Sequence, residues 1–186
     1  MASSLAAALV AYVPRSREEA RDLDRVRALI GGSPWDRATP LHTTGSALIV
    51  HPESRRVLLR WHERQRAWLQ VGGHGDPGED DPFAIALREA EEETGLADLA
   101  AWPVGDDPLP VHLVVVPVPA GKGEPVHEHA DLRYVLATSV PDSARPETPT
   151  APMRWLSFED AHELTQEESL RETLRRVEEL FSDGHG

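Results

Sequence analysis

Cysteine is absent from all 186 residues, so the chain has no disulfide framework, thiolate nucleophile or thiolate-bound zinc. Lysine is nearly absent as well: Lys122 stands alone, and every other basic side chain is an arginine. Positive charge is scarce overall. Nineteen Lys and Arg stand against 32 Asp and Glu, a formal net charge of -13. That balance argues against a nucleic-acid polymer as partner, because such binding needs a basic footprint. No apolar run reaches the length of a bilayer span. The run Leu5 to Ala11 is short and has no basic stretch before it, so it reads as a docked N-terminal segment rather than a signal peptide. No membrane partner is expected, and the cytoplasm is the default compartment.

What remains is an ordinary apolar fraction of 40% in a chain of single-core size. Residues 16–30 carry Ser16 at a capping position, acids in the first turn and apolar Leu23, Val26, Leu29 and Ile30. They read as an amphipathic helix closed by Gly31-Gly32. Strands are expected at 43–51 and 56–61, paired as a hairpin through Pro52-Glu53-Ser54, and at 67–71. Further strands are expected at 111–118, 132–139 and 154–156, with a proline-rich loop at 141–152. Helices are expected at 158–164 and 167–181, the last either covering the sheet or contributing to a homodimer. The class is α/β or α+β, a mixed sheet with helices on its faces. The division expected is an N-terminal helical extension over 1–40 and one domain over 41–186.

Chemistry concentrates in residues 72–96. The Gly-rich loop Gly72-Gly73-His74-Gly75-Asp76-Pro77-Gly78-Glu79 leads to a helix with Asp81 as N-cap, Pro82 at its first position and Gly95 as its stop. Phe83, Leu87, Ala90 and Thr94 form a stripe expected to pack on a sheet. Glu89, Glu92 and Glu93, spaced i, i+3 and i+4, project from one face at the rim of that contact. Carboxylates so placed repel one another unless cations neutralise them, and hard oxygens suit Mg²⁺ or Mn²⁺.

A second cluster is His127-Glu128-His129-Ala130-Asp131-Leu132-Arg133. If extended, it puts His127, His129 and Asp131 on one face, followed by Arg133. It suits a second metal site or substrate contacts at a pocket wall, and equally an exposed strand start with incidental histidines. His74 and Arg60 are further candidates for substrate contact, although Arg60 also reads as a plain surface arginine. Trp61 and Trp68 read as packing residues before base-stacking ones.

Gly73, Glu79, Arg88, Glu89, Glu92, Glu93, Gly95 and Leu96 together resemble the signature box of the Nudix hydrolase superfamily. Eight residues (80–87) separate Glu79 from Arg88 where that box has seven. The extra residue falls before the helix, where a loop absorbs it, and Asp80 is a candidate substitute for Glu79. The resemblance implies a central mixed sheet between helices and a Mg²⁺- or Mn²⁺-dependent pyrophosphohydrolase. Its substrate would be a small molecule, a nucleoside diphosphate linked to another moiety. Glu89, Glu92 and Glu93, with the Gly73 carbonyl, would hold the metal, and Arg88 would orient carboxylates. Glu92 is the first choice of general base, with Glu89, Glu124 and Glu128 as rivals. The alternative is a nucleotide-binding sensor of the same fold without turnover. A catalytic Cys, as in isopentenyl diphosphate isomerases of this kind, is missing. The Tyr expected of diadenosine polyphosphate hydrolases is replaced in the stretch 112–116.

Overall fold

The structure is a computed structural model and describes residues 4–104, 108–121, 123 and 125–182. In chain order the elements are α1 (Leu5–Ala11), α2 (Arg17–Arg27), β1 (Leu41–His51), β2 (Arg56–His62), β3 (Ala67–Leu69), β4 (Val71–His74) and α3 (Pro82–Thr94). Then follow β5 (Ala100–Ala101), β6 (His112–Val118), β7 (His127–Ala137), a 3-10 turn (Pro141–Ser143), β8 (Met153–Leu156), α4 (Phe158–Leu164) and α5 (Glu168–Ser182). Among the described residues the strands form one mixed sheet, with β1 at its centre. β1 and β7 run parallel over ten paired positions, from Leu41 opposite Glu128 to Val50 opposite Ala137. The other pairings are antiparallel.

Strand alternation sorts the apolar residues into two cores. Ala47 and Ile49 of β1 join Leu132, Tyr134 and Leu136 of β7 under α1, α2 and α3. Leu48 and Val50, one residue out of phase, join Val57, Leu59 and Val135 under α4 and α5. The result is an α+β sandwich: a curled sheet between helical layers. α5 spends its apolar stripe, Leu170, Leu174, Val177 and Phe181, on the sheet of its own chain. α1 and α2 also bury Leu5, Leu9, Leu23 and Val26 in the first core, and the Leu5 amide donates to the Asp80 carbonyl at 3.2 Å. A buried ion pair adds a tie across the molecule, Arg176 of α5 to Glu19 of α2 at 2.7 Å.

Several boundaries differ from the sequence reading for identifiable reasons. The expected single strand over 67–71 is two strands, because β3 pairs with β2 whereas β4 pairs with β1, and Gln70 is the crossing residue. β7 begins at His127 rather than Leu132, since its first residues already pair with β1 and β6. The two-residue β5 carries no periodic pattern of its own and exists by pairing with β7. α2 stops at Arg27, ahead of the glycines.

The helix α3 has the ends its sequence specifies: Asp81 accepts from the amides of Phe83 and Ala84, and Gly95 closes it at φ 66°. Its buried stripe is rotated from the expected one. Ala90 and Thr94 of that stripe are fully buried, but with Ile85 and Ala86, whereas Phe83 and Leu87 lie at the edge, Phe83 against the Tyr134 ring. The cause is Gly45 on β1: a Cβ there would stand 3.1 Å from the Ala86 nitrogen and 3.2 Å from the Ile85 Cβ. A strand without a side chain at the contact lets the helix settle on its small residues.

His112 on β6 sits buried, its Nδ1 2.9 Å from Thr173 Oγ1, and burial together with the cations of Arg133 and Arg176 pushes its pKa down to about 4. Glu19 and Glu172 act in the opposite direction. In the unfolded chain the imidazole titrates at about 6.5, so between these values the unfolded state binds the extra proton. Stability contributed by the neutral ring is present above pH 6.5 and is lost as pH falls towards 4, by about 3 kcal/mol in all. Urea unfolding of wild type and His112→Asn across this range should show a flatter pH dependence in the variant.

Candidate active site

The helix α3 carries Glu89, Glu92 and Glu93 on two adjacent ridges of one face. Ile85, Glu89 and Glu93 follow one another at intervals of four, so Glu89 and Glu93 inherit the line of a buried residue and point at β4. Arg88 and Glu92 form the next ridge, nearer solvent, and the Glu92 side chain is 56% exposed. The three carboxylates share a face but not an environment: two are half-buried and one faces out.

Glu89 lies where Gly73 has no side chain. A Cβ at Gly73 would stand 2.6 Å from the Glu89 carboxyl carbon, so a glycine is required there by close approach alone. Glu93 accepts from the Gly72 amide at 3.2 Å and pairs with Arg60 at 2.8 Å. Burial raises the pKa of both acids, that of Glu93 to about 7 against the pull of Arg60 and the Gly72 amide. These are carboxylates whose charge is only partly compensated by the protein.

Arg88 organises the group. Its Nε and Nη2 grip the two oxygens of Glu79 at 3.0 and 2.9 Å, the bidentate geometry that favours arginine over lysine. Nη1 reaches Glu89 at 3.0 Å and Glu92 at 3.2 Å, and Nη2 also donates to the His74 carbonyl at 3.0 Å. The Arg88 fork holds Glu79 below the usual carboxylate range, and Glu79 accepts the Asp76 amide as well. Glu79, not Asp80, therefore takes the arginine, and the residues before Pro82 form the loop that leads into the helix.

The other face of β4 borders a cavity of about 480 Å³. Parallel pairing sets His42 opposite His129, Thr44 opposite Asp131 and Ser46 opposite Arg133, so alternate residues of both strands share this face. Thr44, Ser46, Gln70, Gly72, Gly73, His74, His129, Asp131 and Arg133 line the cavity. Gly72 and Gly73 thus form a thin wall with the cavity on one side and the α3 carboxylates on the other.

The remaining sequence candidates fall out as follows. His127, His129 and Asp131 lie on one strand face, but His127 and Asp131 are buried rather than exposed. Asp131 turns away from the histidines: it accepts from Thr44 at 3.0 Å, Ser46 at 2.6 Å and Arg133 at 2.8 Å. Arg60 is not a surface arginine, since its side chain is 13% exposed and it bridges Glu93 to Glu147. Trp61 and Trp68 are half-buried and pack edge-on, with Arg154 over the Trp68 ring. Glu128 is held by Arg25 at 2.5 Å and sits four strand positions, about 13 Å, from the level of Gly45. Glu124 lies outside the described residues. Two participants escaped the sequence reading, His42 and Glu147. Neither has a local signature, because each reaches the site through pairing with distant segments.

A family model described as NUDIX domain matches residues 41–177. A 109-residue stretch is 29% identical to a probable DHNTP pyrophosphohydrolase of Lactococcus lactis subsp. cremoris (strain MG1363), covering 59% of this chain. The match spans 61% of that relative's length. Among solved structures, a hydrolase of the NUDIX family from Clostridium perfringens is 28% identical with a TM-score of 0.57, covering 75% of this chain and 97% of that one. A C. elegans Ap4A hydrolase binary complex gives 0.58 at 19% identity, covering 76% and 98%. The E. coli dihydroneopterin triphosphate pyrophosphohydrolase gives 0.56 at 19%, covering 72% and 92%. At 19% these last two show likeness of fold alone.

The Asp131 carboxylate is the counter-charge of Arg133, whose side chain is 2% exposed and whose other nitrogens bind Thr173 and Ser169 of α5. Asp131→Ala would strand a buried cation and should destabilise the fold by about 3–5 kcal/mol. Chemical denaturation measures this. An unchanged midpoint with weakened substrate binding would instead make Asp131 a pure ligand contact.

Proposed function

Because the chain belongs to the Nudix family, we propose that it is a divalent-metal-dependent hydrolase of phosphoanhydride bonds in a small nucleotide-like substrate. The observation that carries this reading is the Arg88-centred array, with Glu79, Glu89 and Glu92 on one guanidinium and Glu93 beside it against Gly72.

Mg²⁺ or Mn²⁺ fits the residues present. The donors are hard carboxylate oxygens, two of them desolvated enough to resist ionisation, and the missing Cβ of Gly73 lets backbone and carboxylate approach the same space. Glu89, Glu92 and Glu93 are the proposed ligands, with the Gly73 carbonyl as a further oxygen. When bound, the ion supplies charge neutralisation of the diphosphate and lowers the pKa of coordinated water.

The protein's own part follows from placement. Arg88 holds Glu89 and Glu92 at fixed distances, so the site is organised before substrate arrives. Glu92 is the proposed base: it faces solvent, where the attacking water comes from, and it can accept that water's proton. The water oxygen then bonds to phosphorus as the P–O bond of the anhydride bridge breaks, and the bridging oxygen leaves with one phosphate. The cavity across the glycine wall offers His74 and Gln70 for orienting the rest of the substrate.

The L. lactis relative is named a probable DHNTP pyrophosphohydrolase, which supports nucleotide-like phosphoanhydrides as the first class to assay. Phosphate and pyrophosphate release should be measured with Mg²⁺ or Mn²⁺ over dinucleotides, nucleoside diphosphate derivatives and dihydroneopterin triphosphate. Glu92→Gln should lower turnover on the best substrate by about 10²–10⁴-fold, the range for loss of a general base. Circular dichroism should be unchanged, because Glu92 is exposed. Near-normal turnover in this variant would remove Glu92 from the base role. Tight nucleotide binding without turnover in either metal would favour a sensor.

A further inference from the structure

Four imidazoles converge beside the cavity, which His74 and His129 line, from three strands that alternation and pairing bring to one sheet face. His42 comes from β1, His74 from β4, and His127 and His129 from β7. Their Nε2 atoms approach in a chain: His42 to His74 at 3.0 Å, His74 to His129 at 3.2 Å and His129 to His127 at 3.1 Å. Among the described residues, His42, His74 and His129 offer ligand atoms all within 4.8 Å of one another.

Hydrogen bonding among the rings cannot account for these contacts. An imidazole nitrogen carries either one proton or one in-plane lone pair, never both. His42 Nδ1 lies 3.1 Å from the Thr39 carbonyl, and His127 Nδ1 lies 2.9 Å from the Pro125 carbonyl. A carbonyl only accepts, so both Nδ1 atoms carry protons, and in the neutral rings both Nε2 atoms present lone pairs to the cluster. His74 Nε2 could donate to His42, and His129 Nε2 could donate to His127. The central contact between His74 and His129 would then set two N–H groups against each other at 3.2 Å. No assignment of protons to the neutral rings satisfies all three contacts.

A shared cation does. Tetrahedral coordination with metal–nitrogen distances of about 2.0–2.1 Å places nitrogens about 3.3 Å apart, close to the three successive contacts of 3.0, 3.2 and 3.1 Å, and the ligand atoms of His42, His74 and His129 lie within 4.8 Å of one another. A carbonyl on the Nδ1 of a ligating ring is the usual outer support of such a site, and two of the four rings already have one. We propose that His42, His74 and His129 bind one divalent transition-metal ion of the zinc class through Nε2, and that His127, outside this group of three but 3.1 Å from His129, completes the set by a shift of its ring. Nitrogen donors select such an ion over Mg²⁺. Asp131, which sequence spacing had grouped with these histidines, takes no part, its oxygens being engaged by Thr44, Ser46 and Arg133. The site is distinct from the α3 carboxylates and does not depend on the hydrolase reading. His74 nevertheless links the two, since its carbonyl accepts from Arg88 while its ring enters the cluster.

The test uses the full chain, stripped with a chelator and titrated with Zn²⁺ alone by calorimetry, with bound metal counted after dialysis. One Zn²⁺ per chain should remain, and excess Mg²⁺ should not displace it. His129→Ala should weaken Zn²⁺ binding by more than about 100-fold, beyond the loss of an outer partner. Glu89→Gln combined with Glu93→Gln should leave it unchanged. Should His129→Ala fail to fold, Co²⁺ loaded into wild type gives an independent readout: the intense visible absorption of four-coordinate nitrogen ligation supports the site, and the pale spectrum of a hexa-aquo or carboxylate-bound ion overturns it. Absence of retained Zn²⁺, or loss of binding in the glutamate double variant with none in His129→Ala, would also overturn it.

Discussion

The guanidinium of Arg88 is the interaction on which the candidate active site rests. One planar cation binds both oxygens of Glu79, single oxygens of Glu89 and Glu92, and the carbonyl of His74. It therefore ties three segments together: the loop before the helix, the helix itself and β4. A lysine could supply the charge but not the fork, because an ammonium cannot meet a carboxylate edge-on and reach two further acceptors in fixed directions. The residual negative charge falls on Glu93 and Glu89, and burial makes that charge costly without a further cation.

Two glycines set how closely α3 approaches the sheet. Gly45 lets α3 settle on β1 through Ala86, and Gly73 lets the Glu89 carboxylate lie against β4. Gly72, next to Gly73, lines the cavity while its amide binds Glu93. A side chain at Gly45 would push the helix off the strand, and one at Gly73 would displace the Glu89 carboxylate. Catalytic acids and substrate-sized space thus meet across backbone alone, and the parallel β1–β7 pair provides the floor on which the polar residues of the cavity are arranged.

Legibility in the sequence followed the range of the interactions. The helix α3 was readable to its ends because Asp81, Pro82 and Gly95 act locally. α4 was likewise readable over Phe158–Leu164, capped by Ser157. The acids at 89, 92 and 93 were visible as a motif, and so was the tendency of Arg88 to clasp one of them. The rotation of the α3 stripe was not, because it depends on Gly45, which lies on β1, far from α3 in the chain. Nor was the break at Gln70, which records a change of pairing partner rather than any property of the residue. His42 had no local marker at all. Its role emerges when β1 aligns with β7 and sets it opposite His129, and the same alignment shows Asp131 to be a clamp on Arg133.

The most direct test of the central claim is anomalous scattering from a crystal of the protein soaked in Mn²⁺. A manganese peak ligated by Glu89 and Glu93, within reach of Glu92 and beside Gly73, with Arg88 still holding Glu79, is the result expected. Carboxylates turned into solvent with the manganese bound away from α3 would contradict the account.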